Sequence, residues 1–185
     1  TASNLVKIDL DGNIVEESKY PVNPAGFIIH SAIHSTREDA HCVMHTHTAA
    51  GMAAAALKEP IKNIDFDSTS LTNQIALHDF EGVTVRAEEC ERLSKSLGNK
   101  SVMILRNHGL LSVGSTIPHA FIRLHSLERA CLVQTLARST NESLIEVSDN
   151  IAKAHANEIE NSDKGELAFN AMMRLMEKID PSYKD

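Results

Sequence analysis

This chain predicts a layered domain of the α/β or α+β type, and two observations carry that reading. Strand-like runs alternate with helix-like runs of ten or more residues, and 185 residues at 42% hydrophobic content suffice for one buried core without disulfide or metal staples. No internal repeat or low-complexity linker divides the sequence. A charged fraction of 23% excludes a disordered composition, and no apolar run approaches the roughly 18 to 20 residues of a membrane span. Eighteen Lys plus Arg against 25 Asp plus Glu give a net charge of −7 with no basic cluster, so neither nucleic acid nor a membrane is an expected partner.

Taken in order, residues 5–9 and 14–15 read as two short strands around Asp11-Gly12, a pair suited to the positive φ of a tight turn. Pro21, Asn23 and Pro24 break that pattern. Over 26–36 the apolar residues Phe27, Ile28, Ala32 and Ile33 recur at helical spacing, which sets His30 and His34, four apart, on one face. Residues 42–46 alternate as a strand leading to His45 and His47, and the alanine-rich run 49–57 is a helix ending before Pro60. Residues 61–77 carry no clear period. A short strand is expected at 83–85, then a charged helix over 87–97 closed by Gly98. Residues 101–105 read as a buried strand, Arg106-Asn107-His108-Gly109 as a turn, and 110–113 as the next strand. Thr116 and Pro118 open a long helix to about residue 137, and two more follow over 142–160 and 165–179. The expectation is a single domain over 1–185, with 139–185 as a C-terminal helical extension.

Cys42, Cys90 and Cys131 are odd in number, form no CxxC and follow no secretory signal. A reducing compartment, the cytoplasm, is therefore expected, with the thiols serving as small apolar side chains. The chain starts at Thr1 without a Met, so an N-terminal segment is expected to be missing.

Ten histidines are the unusual feature of the composition. On a strand, residues two apart project from one face, so His45 and His47 can chelate a single divalent ion such as Zn²⁺. The same spacing also arises between unrelated surface or core histidines, and a third ligand has to decide between these readings. His108 supplies one if the strand 101–105 lies beside the His45 strand, with Gly109 letting the backbone pass closely. Three neutral imidazoles with an open fourth position make a catalytic rather than a structural site, with nitrogen ligands about 2.0 to 2.2 Å from the ion. His41, His119 and His155 fall on turns or helix faces and read as solvated. His30, and less directly His34, could be aimed into the site by the helix that precedes the His45 strand, although a packed helix residue is the plainer account. His78 and Asp79 are neighbours on a strand and should point oppositely. No GxGxxG, P-loop or GxSxG stretch is present.

The run Asn23-Pro24-Ala25-Gly26-Phe27, then His30-Ser31-Ala32-Ile33-His34, Arg37, Asp39, Cys42 to Ala49 with the histidine pair, His78-Asp79-Phe80-Glu81-Gly82 and Leu105-Arg106-Asn107-His108-Gly109-Leu110 together resemble the class II aldolase/adducin family. The resemblance covers about residues 1–137, with several separated motifs in the family's order. It implies a three-layer αβα domain around a mostly antiparallel sheet, and a divalent-metal site on His45, His47 and His108, usually zinc, with Mn²⁺, Fe²⁺ or Co²⁺ as alternatives. It also implies a homotetramer with active sites near subunit interfaces.

The departures from the family pattern bear on substrate. The glutamate that serves the family's sugar-phosphate aldolases as acid/base, 19 residues before the first metal histidine, falls here on Gly26. The two preceding places, hydroxyl residues that help hold the phosphate in those enzymes, are Pro24 and Ala25. A phosphorylated sugar is therefore not expected, and the variant is closer to the adducin-like branch. Three functions follow from the resemblance. The first is a metal-dependent lyase that cleaves a C–C bond of a small hydroxy or keto acid, by retro-aldol reaction or decarboxylation, through a metal-stabilised enediolate. The second is a non-catalytic adducin-like scaffold that binds protein partners, and the third an isomerase or epimerase using the same metal chemistry. Under the first, His30, one turn after Gly26, is the surrogate acid/base, with His78 behind it.

Overall fold

The computed structural model of the protein describes residues 1–82, 87–162 and 164–185. The strand expected at 83–85 lies outside them. Strands β1 (Cys42–Thr46), β2 (Ile75–His78), β3 (Val102–Leu105) and β4 (Gly109–Gly114) form one sheet in the order β1-β4-β3-β2. The β1/β4 and β4/β3 pairs are antiparallel and β3/β2 is parallel, so the sheet is mixed with antiparallel pairing in the majority. The helices are α1 (Pro24–His34), α2 (Ala49–Ala55), α3 (Phe66–Ser70), α4 (Ala87–Leu97), α5 (Ile117–Ser139), α6 (Asp149–Glu160) and α7 (Glu166–Ile179). No helix among the described residues is long and apolar enough to cross a membrane.

Alternation along the strands sorts the core into two layers. Val43, Ala76, Met103, Leu105, Leu111 and Val113 pack against Ile29 and Ile33 of α1 and Leu93 and Leu97 of α4. On the opposite face Val102, Ile104 and Leu110 meet Ala54 and Ala55 of α2 and Leu124, Leu127 and Cys131 of α5. The result is the three-layer αβα arrangement. It explains why β3 and β4 are buried along their whole length and carry no polar alternation.

Most helix boundaries follow from caps. Asn23 accepts from the N–H groups of Ala25 and Gly26 to start α1, and Thr116 accepts from His119 N–H to start α5. In the stretch 61–77, which carries no clear period, the structure places α3 and most of β2. α3 is only five residues long and is set by the capping box of Asp65 and Ser68 rather than by an apolar repeat.

Three expectations need correction. The opening strands reduce to one antiparallel bridge, Ile8 with Ile14, because the Asp9 carboxylate accepts the N–H groups of Asp11 and Asn13 around Gly12, whose φ is 88°. The helix expected over 142–160 begins only at Asp149. Asn141 turns left-handed at φ 58°, and the chain then runs extended with Val147 N–H donating to Asn63 O at 2.7 Å. Finally, β3 does not lie beside β1. The tight β3–β4 hairpin sends β4 back between them, with His45 opposite Leu111 and Leu105 opposite Gly109.

Candidate metal centre

The sheet topology brings the C-terminal ends of β1, β2 and β3 and the first residue of β4 to one edge of the molecule. His45 is the penultimate residue of β1, His47 follows its end, and His108 lies in the β3–β4 hairpin. One potential ligand atom from each of the three lies within 4.8 Å of the others. The ring centroids are 4.6 Å apart for His45 and His47, 4.9 Å for His45 and His108, and 4.6 Å for His47 and His108. His108 reaches the cluster from the hairpin although β4 separates its strand from β1.

The hairpin is fastened on both sides. Arg106 N–H donates to His78 O at 2.8 Å and Asn107, left-handed at φ 55°, donates its N–H to Ala55 O at 3.2 Å. Gly109 is needed for close approach: a Cβ there would stand 2.3 Å from Thr46 O, 3.0 Å from His47 Cδ2 and 3.2 Å from His45 Cε1. Thr48, next to His47, caps α2 by accepting from Gly51 N–H and donates its hydroxyl to Glu128 of α5, which pins the chain just after the histidine pair.

The donor chemistry fits a cation. The carbonyl of Leu110 can only accept, so the 2.8 Å contact to His45 Nδ1 places the proton there and leaves Nε2 as a lone-pair donor. That Nε2 lies within hydrogen-bonding distance, 2.7 Å, of Nε2 of His47. Burial pushes the His45 imidazole down to about 4; the Leu110 bond opposes this, and the charges of His108 and His47 add to it. Burial, then His47, also lowers His108. Neutral imidazoles at ordinary pH are the form that ligates metal.

His30 stands outside this cluster. It is half-buried on α1, its ring 6.2 Å from that of His34, and burial lowers its pKa, followed by the charges of His34 and His45. It borders a cavity of about 760 Å³ between α1 and residues 5–10, which Gly26 and His34 also line. His34 itself is held by Ala40 O at 2.8 Å from its Nδ1.

The remaining histidines divide. His41 is exposed, as expected. His119 and His155 are not solvated: His119 is buried with Nδ1 3.2 Å from Ser115 Oγ, because the first turn of α5 packs onto β4. His155 contacts Thr69 Oγ1 at 2.9 Å and meets the Phe66 ring edge-on with centroids 4.3 Å apart, because α6 docks on α3. His78 and Asp79 do point oppositely, the first buried and the second with a side chain 91% exposed. Among the thiols Cys131 is fully buried, which raises it to about 12, while Cys42 and Cys90 are half-buried. The sequence reading missed the Leu110 carbonyl and the Ala55 and His78 carbonyls that hold the hairpin. Backbone acceptors leave no residue-type signal.

Comparison with known proteins gives a consistent picture. A family model described as the Class II Aldolase and Adducin N-terminal domain matches residues 1–135. An aldolase II superfamily protein from Pseudomonas syringae superposes with a TM-score of 0.93 at 40% identity, over 100% of this chain and 76% of that one. An L-fuculose 1-phosphate aldolase from Glaciozyma antarctica PI12 gives a TM-score of 0.85 at 29% identity, over 98% of this chain and 71% of that one. Alpha-adducin of Rattus norvegicus is 41% identical over 97% of this chain, which spans only 26% of that protein.

Proposed function

This chain belongs to the class II aldolase and adducin family, and on that footing we propose that it holds one divalent cation on His45, His47 and His108 and acts as a lyase on a small, non-phosphorylated hydroxy or keto acid. The carrying observation is the convergence of three imidazoles with His45 fixed by the Leu110 carbonyl in the tautomer that ligation requires. Zinc suits an all-nitrogen donor set, and Mn²⁺, Fe²⁺ or Co²⁺ are the alternatives. When bound, such a cation supplies Lewis-acid stabilisation of the negative charge that develops on a substrate oxygen as the C–C bond breaks.

The chain's own residues supply the rest. Exposed His47 leaves the cluster open to solvent and so to substrate. Gly26 offers no carboxylate, and the first-turn amides of α1 that an anion would use, at Ala25 and Gly26, already donate to Asn23 Oδ1 at 3.1 and 3.4 Å. Both features count against a phosphate at this helix. His30, one turn later and close enough to His45 for their charges to interact, is the side chain assigned to move the proton. A homotetramer, the family's assembly, completes this reading.

Elemental analysis of native protein and of a His45→Ala, His47→Ala double variant tests the site, with about one equivalent expected in the first and none in the second. Equal metal content would place the metal elsewhere. Incubation of the metal-loaded protein with hydroxy and keto acids, and with L-fuculose 1-phosphate as the counter-substrate, tests the reaction. Turnover of the phosphosugar near the enzyme median of about 10 s⁻¹ would overturn the substrate class. The 41% identity to alpha-adducin favours a second reading, an oligomeric scaffold for protein partners. Under it the native protein turns over none of these acids.

A further inference from the structure

The edge of the sheet that carries the three imidazoles also carries a fourth histidine. β2 ends on His78, and alternation from Ala76 puts it on the face covered by α1 and α4, the face on which Val43 and therefore His45 lie. His78 is 6% exposed, and its Nδ1 is held 3.0 Å from Ser96 Oγ of α4. Its other nitrogen, Nε2, is buried with no hydrogen-bond partner among the described residues, and Glu81 Oε1 stands 3.8 Å away, beyond direct hydrogen bonding. Both residues border a pocket of about 10 Å³, which Leu105, Arg106, His108 and the buried Glu89 also line. That volume is the size of a single water, and a polar gap of this length is where a bridging water belongs.

We propose that this pocket holds one water that links His78 and Glu81 to the His108 ring, which makes His78 a positioning residue for the metal centre. The inference rests on the reading of His45, His47 and His108 as ligands. By donating one O–H hydrogen bond to the Glu81 carboxylate, the water keeps its two lone pairs for two N–H donors, Nε2 of His78 and the His108 ring nitrogen not used for the metal. His108 would then be oriented through a water as His45 is oriented by Leu110 O. Ser96 sets the His78 ring, and the Arg106 N–H bond to His78 O ties the same residue to the hairpin that carries His108.

The test is zinc affinity, measured by competition with a chelating dye, together with the unfolding midpoint of the metal-free protein. His78→Leu should weaken zinc by about 10- to 100-fold, with a metal-free midpoint close to the wild type. His78→Gln, which keeps a polar end, should recover part of the loss. If His78→Leu does not fold, Ser96→Ala, which frees the ring without opening a large cavity, should weaken zinc in the same direction. A high-resolution crystal structure should place a water about 3 Å from both His78 Nε2 and Glu81. A dry pocket, or unchanged zinc affinity with a lowered metal-free midpoint, would make His78 merely structural and overturn the proposal. Wild-type protein that binds no stoichiometric zinc would sink the metal reading and this inference together. Zinc binding in the wild type that His78→Leu leaves unchanged would sink the inference alone.

Discussion

At the scale of single residues, Gly109 controls the site most tightly. A methyl group at this position meets Thr46 O at 2.3 Å, a backbone atom that cannot swing aside, and presses on both His45 and His47. Gly109→Ala should cost about 1 to 3 kcal/mol through overpacking and lower the metal content, as thermal unfolding and elemental analysis would read. His30 is separable from the ligands: His30→Gln should leave metal content intact while lowering the turnover of an identified substrate by roughly 10²- to 10⁴-fold. Asp39 gives a pH signature. The Arg37 guanidinium, bonded to both its oxygens at 2.7 Å, holds its carboxyl at about 2 against an ordinary 3.8. A depressed carboxylate stabilises the fold above its unfolded pKa, so this contribution is complete above about pH 4 and fades as the pH falls toward about 2. The carboxylate is largely exposed, which limits the contribution to at most about 1 kcal/mol. Asp39→Asn should therefore lower the urea midpoint slightly at neutral pH, with the difference shrinking below pH 4.

At the scale of elements, α4 and α5 were legible in the sequence, whereas α1, capped by Asn23 with Pro24 in its first turn, starts before the expected residue 26. α4 was read to its exact bounds, 87–97, and α5 to within two residues, because Thr116 and Pro118 mark its start. Thr116→Ala should cost α5 about 1 kcal/mol, since the hydroxyl that accepts from His119 N–H is lost, and a fall in the thermal midpoint would register it. α3 and β2 were illegible for a physical reason. α3 is held by Asp65 and Ser68 and by the docking of α6 rather than by its own periodicity, and the four residues Ile75-Ala76-Leu77-His78 owe their strand to pairing with β3.

For the whole molecule, the metal reading makes stability a function of metal. Cation at a hundred times its Kd should add about 2.7 kcal/mol to the folded state. At roughly 2 to 4 °C per kcal/mol for a chain of this size, chelation should lower the thermal midpoint by about 5 to 11 °C, an effect absent from the His45→Ala, His47→Ala variant. The sequence by itself determined a layered α/β or α+β domain and the candidate histidines, because these depend on local periodicity and on the two-residue repeat of a strand, while the αβα layering and the carboxylate missing at Gly26 came from the resemblance to the family. Only the tertiary structure decided that β4 comes between β1 and β3, that His119 and His155 are packed rather than solvated, and that Leu110 O orients His45. Strand order, burial and backbone acceptors arise from contacts between residues far apart in the chain, which no short sequence window contains.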